Sequence, residues 1–202
     1  MSADSTDDPM VATEGSRRSL ILRRAARLFS EHGYDRTTIR EIAQAVGMQS
    51  GSLFYHFPTK DHILAAIITD SMAWGLSIAE ASVAQARTPR GRFHALLHGH
   101  LRALLDEDSL HAHRVSIREW NHLPRPLREP IERLADAYRA LWWQVMDELE
   151  GARLLQVSKD VFYHFCIGGL NWTAWWCSDR SPAAIERLAQ DYLALLLPDD
   201  GH

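Results

Sequence analysis

Cysteine is scarce in this chain of 202 residues, and long apolar runs are missing. Its two cysteines, Cys166 and Cys177, cannot form a disulfide framework. They stand eleven residues apart in one helical pattern, so roughly 16 Å of helix axis separates them, too far for a bridge. Two free thiols fit a reducing cytoplasm. No stretch approaches the roughly 20 apolar residues that a membrane span needs. The opening residues MSADSTDDPMVATEG are acidic and polar, with no signal-peptide core. These absences predict a soluble, cytoplasmic protein with no membrane partner. Alternating β-branched runs are also missing, which removes the signal for a sheet. No G-x-S-x-G, P-loop, H-E-x-x-H or G-x-G-x-x-G string occurs, so no enzyme is expected. Eleven histidines invite a metal reading. His94 and His98 are one helical turn apart, with His111 and His113 nearby, but no cysteine or carboxylate stands in close order. No metal and no cofactor is expected.

What is present is apolar content enough for a core, 46% of residues, with 24% charged. The net charge of −4 excludes a uniformly basic nucleic-acid binder, yet it hides an asymmetry. Residues 1–15 hold four acids and no base, and read as a disordered acidic tail. Residues 16–61 hold eight bases (seven Arg and Lys60) against four acids, a local +4. The remaining 141 residues hold 14 bases and 18 acids, a local −4. A basic module is joined to an acidic one.

The periodicity is helical almost throughout, which makes the fold all-α. Ile21, Ala25, Leu28 and Phe29 give the first helix, about 17–32, one apolar face, and Gly33 ends it. Thr37 and Thr38 can cap a short second helix carrying Ile39, Ile42, Ala43 and Val46. Gly47 breaks it, a third short helix covers about 50–56, and Pro58 stops that one. Thr59 caps a long fourth helix, about 60–86. Further helices are predicted over 91–106, 109–121, 127–150, 158–177 and 182–197. The domain division expected is a tail (1–15), a three-helix module (16–62), and a larger helical domain (63–202). A long shared helix joins the last two without a flexible linker.

Two short helices hinged at Gly47, the second polar and exposed, describe a helix-turn-helix. Its residues suit DNA. Thr37, Thr38, Ser50 and Ser52 offer hydroxyls to phosphates or base edges. Gln49 can pair with adenine, and Arg40 can fork onto guanine. Gly51 allows close backbone approach, and Lys60 can neutralise a phosphate. A surface hairpin with no ligand is the plain alternative. A small-molecule-binding protein with a vestigial helix-turn-helix, and an interaction protein using its aromatic face, are the rivals from other classes.

The strings Ala26-x-Leu28-Phe29-x-x-x-Gly33-Tyr34, Thr38-Ile39-Arg40-Glu41-Ile42-Ala43 and Gly47-x-x-x-Gly51-Ser52-Leu53-Phe54-Tyr55-His56-Phe57-Pro58-x-Lys60 carry a resemblance. Through them residues 17–64 resemble the DNA-binding domain of the tetracycline-repressor (TetR/AcrR) family. The resemblance implies that Arg40, Ser50, Ser52, Tyr55, His56 and Lys60 lie where the family touches DNA. With Thr38 and Gln49 from the residue reading, these make the expected DNA set. Phe54 departs from the family's usual Tyr and loses a phosphate contact. The resemblance also implies an all-α ligand-binding and dimerisation domain, a homodimer, and a pocket that controls the DNA-reading helices.

Pairing is expected through the last two helices, where Ile185, Leu188, Tyr192, Leu195 and Leu196 form a stripe. Six of the seven Trp fall after residue 119, more than a helical core usually requires, which fits a large apolar ligand. Arg118-Glu119-Trp120-Asn121-His122-Leu123-Pro124 and the segment Gly168 to Trp176 resemble a subgroup that controls fatty-acid or steroid catabolism and responds to acyl-CoA thioesters. The expected ligand residues are therefore Arg118, Trp120, Asn171, Trp172 and Trp176, with Arg114, Arg125 and Arg128 as further cations for phosphates. Ordinary core and dimer contacts remain the alternative for each Trp. The function expected is a dimeric regulator, a repressor on palindromic operator DNA released by a small-molecule effector, with control of drug efflux as the alternative.

Overall fold

The computed structural model describes residues 9–107 and 109–197. Among them are nine α-helices and one short 3-10 turn, with no strand. In chain order they are α1 (Pro9–His32), α2 (Ile39–Ala45), α3 (Ser50–His56), α4 (Lys60–Gln85), α5 (Pro89–Leu105), α6 (Leu110–Glu119), α7 (Arg125–Gly151), α8 (Lys159–Trp176) and α9 (Pro182–Leu196). The 3-10 turn, Trp120–His122, follows α6 directly.

Residues 1–8 of the expected acidic tail lie outside the described residues, and its remainder extends α1. Pro9 opens that helix, a position where a missing N–H costs nothing. The predicted inner face of α1 is buried at Ile21, Ala25 and Phe29. A capping box starts α2: the Thr38 hydroxyl accepts from the Glu41 amide, and the Glu41 carboxylate accepts from the Thr38 amide at 2.7 Å. Thr37, expected to share the capping, is buried instead, and its hydroxyl donates to the Gly33 carbonyl at 2.8 Å. Gly33 and Gly47 have φ of +88° and +67°, the left-handed conformation that lets α1 and α2 end abruptly.

Two cores result. The first joins Ile21, Phe29, Ile42, Leu53 and Phe57 to Ile63, Leu64, Ile67 and Ile68, and continues into Val115, Leu123 and Ile131. The second gathers Ala79, Val83, Phe93, Leu96, Leu97, Trp142, Met146, Phe162 and Leu170. α4 enters both. The expected division at 62/63 therefore falls inside a continuous helix, and residues from α6 and α7 help close the core of the N-terminal module. α4 is also long and apolar enough to cross a membrane, by length and composition alone. Packing explains the apolarity: Ile63, Leu64, Ile67, Ile68, Ile78, Ala79 and Val83 are all buried.

Candidate nucleic-acid interface and ligand cavity

α2 and α3 present one polar face away from the first core. Thr38, Arg40, Gln49 and Ser52 are exposed, Ser50 and His56 are half-buried, and Tyr55 is 82% exposed with its ring edge-on to His56. Arg40 makes no hydrogen bond or ion pair among the described residues. Gln49 holds the N-cap position of α3 without spending its amide there, so both its donor and its acceptor stay free. A Cβ on Gly51 would meet no protein atom within 4 Å. The close approach expected at Gly51 is therefore not to this chain's own backbone. Phe54 is half exposed rather than packed inward.

Lys60 is half-buried. Its ammonium donates to the carbonyls of Tyr34 at 2.9 Å and Thr37 at 3.1 Å, reaches that of Asp35 at 3.4 Å, and lies 4.2 Å from the Tyr34 ring centroid. Its donors are thus directed largely at the turn between α1 and α2. The neighbouring Tyr34 hydroxyl donates to Asp61. Burial and that carboxylate push the phenol's pKa up. Lys60 ties the start of α4 to the turn between α1 and α2.

A cavity of about 410 Å³ opens between α4, α5, α6, α7 and α8. α4 contributes Ile68, Ser71, Met72 and Gly75, so the helix that carries the N-terminal module also forms a cavity wall. Ile117, Trp120, Ile131 and Ile167 give it apolar sides. Its polar groups form a chain. The Tyr138 hydroxyl lies 2.7 Å from His100 Nδ1, and Asn171 Oδ1 lies 3.3 Å from His100 Nε2 and 3.4 Å from His113 Nε2. Burial, reinforced by His113, pushes His100 down to about 3, and burial lowers His113 as well. Both imidazoles are neutral at physiological pH. Burial raises the Tyr138 phenol. Arg139, exposed and paired with Asp136 at 3.0 Å, is the one guanidinium lining the cavity among the described residues.

Of the five expected ligand residues, Trp120 and Asn171 line this cavity. Arg118, Trp172 and Trp176 do not. Arg118 is exposed and faces Glu119 at 3.8 Å. Trp172 and Trp176 are 63% and 53% exposed on the outer side of α8, with Trp172 stacked on Trp175. The physical reason is helical phase. Asn171 and Trp172 are consecutive, so about 100° of rotation turns one inward and the other out. Val161, Phe165, Trp172 and Trp176 share that exposed side at helical spacing. The apolar stripe expected on α9 mostly faces inward: Ile185 is buried, Leu188, Tyr192 and Leu196 pack on the second core, and only Leu195 is strongly exposed. Arg114, a suggested phosphate ligand, donates instead to the Ala174 carbonyl. Sequence reasoning missed Ser71, Gly75, Tyr138 and Arg139 as cavity residues, and considered His113 only for metal. Among the described residues no group of three or more His, Cys, Asp or Glu is placed to hold a metal ion. His94 and His98 instead both face Glu186 of α9, at 3.5 and 3.6 Å.

Comparison with known proteins accounts for this pairing of an exposed helical reader with a cavity. The family model described as "Bacterial regulatory proteins, tetR family" matches residues 21–67, and "Tetracyclin repressor-like, C-terminal domain" matches residues 86–198. A curated relative, the HTH-type transcriptional repressor KstR2 of Mycolicibacterium smegmatis, is 27% identical over 193 residues, covering 90% of this chain and 89% of its own. Among solved structures, that titled superantigen PfiT is 33% identical, covers 96% of this chain and 100% of its own, and has a TM-score of 0.74. AibR, solved with isovaleryl coenzyme A and operator DNA, shares the fold at a TM-score of 0.79, with 22% identity over 90% of this chain and 98% of its own. With both halves matched, the chain belongs to the tetR family of bacterial regulatory proteins, a family of helix-turn-helix transcriptional regulators and not an enzyme class.

Proposed function

We propose that this protein is a dimeric, cytoplasmic repressor that binds palindromic operator DNA and leaves it when a small molecule fills the cavity. The observation that carries the reading is the double role of α4. Its first turns pack on α2 and α3 through the shared core and are tied by Lys60 to the turn that leads into α2, and its middle turns form a cavity wall. A ligand that wedges against Ser71, Met72 and Gly75 moves α4, and with it α2 and α3.

Thr38, Arg40, Gln49, Ser50, Ser52, Tyr55 and His56 are the proposed DNA contacts. One short helix reads only a few base pairs, so two-fold pairing is needed to read an operator. The exposed stripe of Val161, Phe165, Trp172 and Trp176 on α8 supports pairing through the last two helices, since monomers rarely expose a contiguous aromatic surface. For the effector we propose a CoA thioester. AibR was solved with isovaleryl coenzyme A, and KstR2 of Mycobacterium tuberculosis is a ketosteroid transcriptional regulator. A cavity of 410 Å³ sits at the lower end of the roughly 300–1,000 Å³ typical of small-molecule sites. It would take an acyl end and leave a nucleotide outside, near Arg139. Fluorescence anisotropy on DNA upstream of the protein's own gene tests the reading. Tight binding relative to a scrambled duplex, weakened by an acyl-CoA such as isovaleryl-CoA, is expected. Equal affinity for both duplexes would contradict DNA reading, and binding indifferent to every acyl-CoA tried would contradict the effector class.

A further inference from the structure

We infer that Asn171 reads the buried end of the effector, and that it selects an uncharged group bearing a carbonyl oxygen. The inference rests on the reading of the cavity as the effector site. It begins from the order of donors and acceptors in the chain Tyr138–His100–Asn171–His113.

An amide oxygen only accepts. Asn171 Oδ1 lies within reach of Nε2 of both His100 and His113, so both nitrogens carry the proton. A neutral imidazole with Nε2 protonated has a lone pair on Nδ1. The Tyr138 hydroxyl, 2.7 Å from His100 Nδ1, therefore donates to it. Every step agrees with the neutral state that burial imposes on both histidines. The consequence falls on Asn171. Two histidines hold its oxygen, so its orientation is fixed, and its Nδ2 has no partner among the described residues. Asn171 lines the cavity, which places two unspent N–H donors at the cavity wall.

The other polar groups there decide less. Hydroxyls such as those of Ser71 and Tyr163 turn to suit either partner. A fixed amide donor does not, and a site built around one rejects ligands that cannot accept. A carboxylate would accept too, but among the described residues no cation stands beside Asn171 to offset its desolvation. Arg139 is exposed and already faces Asp136. A ketone or thioester carbonyl supplies the acceptor without charge.

Three compact apolar cages of nearly equal size test this: adamantanone, adamantanecarboxylate and adamantylamine, titrated calorimetrically into the full-length protein. Adamantanone should bind at least about tenfold more tightly than either of the others, the worth of one well-made hydrogen bond. Asn171→Asp keeps the oxygen that the histidines hold and removes the donors. It should lose about tenfold or more for adamantanone and gain for adamantylamine, while circular dichroism confirms unchanged helix content. A merely structural role for Asn171 would weaken all three probes alike. Equal binding of the three, or tighter binding of the carboxylate, overturns the inference and leaves the cavity as a ligand site. Tighter binding of the amine shows the amide reversed, with its oxygen toward the ligand, and overturns it also. No binding of any probe overturns the cavity reading itself, and the inference with it.

Discussion

At the residue scale, exposure and commitment of donors separate the proposed DNA contacts from structural parts. Arg40 is exposed with its guanidinium unspent. Arg40→Ala is therefore expected to cost about 1–3 kcal/mol on operator DNA and to relax specificity at one base pair, as read by anisotropy on single-substituted duplexes. Lys60 is the opposite case. Its motif position invites a phosphate contact, but its carbonyl cage makes it a clamp. Lys60→Met should lower stability by about 1–3 kcal/mol through lost charge-assisted hydrogen bonds. The salt slope of DNA binding should stay nearly unchanged in that variant; a slope flattened by about one unit would return Lys60 to the phosphate contacts. His100 gives a pH prediction. Its pKa is about 3 in the folded protein against an ordinary 6.5, so between those values the unfolded chain binds a proton that the native state refuses. Stability is then expected to fall as pH drops below about 6.5, by up to about 1.4 kcal/mol per pH unit for this group. Denaturant melts of His100→Gln should show a shallower acid decline than the parent protein.

At the element scale, α4 is the part on which most depends, and its packing is tight enough to test. A Cβ on Gly99 of α5 would lie 3.2 Å from both the Ala79 backbone and Ser82 Oγ of α4. Gly99→Ala gains helix propensity but forces the two helices apart. The net loss expected is about 1–2 kcal/mol, seen as a lower melting temperature. The short helices were legible in the sequence because their signals are local. The capping pair Thr38 and Glu41, the breakers Gly33, Gly47 and Pro58, and the α1 apolar face all lie within a turn or two of what they control. The cavity was not legible. Tyr138 and Asn171 meet His100 across separations of 38 and 71 residues, and nothing in a local window marks such a meeting. Trp120 and Asn171 were found through a resemblance. Trp172 and Trp176, expected beside them, lie outside this cavity, because aromatic content does not reveal which way a helix faces. The α9 stripe packs mostly on the second core for the same reason, since helical spacing shows that a face is apolar and not which neighbour covers it.

At the scale of the whole molecule, two modules share a core and a helix, so binding at one site must bias the other if the ligand prefers one position of α4. The polar face of α2 and α3 proposed to read DNA and the α8 stripe lie on different helices, so they can be tested independently. Phe165→Asp places a charge in the exposed aromatic stripe of α8. Sedimentation should show this variant as a monomer while circular dichroism stays unchanged, and operator affinity should fall by at least about tenfold, because the second half-site contact is lost. A variant that stays dimeric would move the pairing surface elsewhere. The central claim is that two copies of α3 read one duplex across a dyad. Hydroxyl-radical footprinting on the upstream DNA tests it most directly. Two protected patches of matching sequence on opposite strands, about one helical turn or a small multiple apart, are the result expected. A single patch, or protection that ignores sequence, would contradict it.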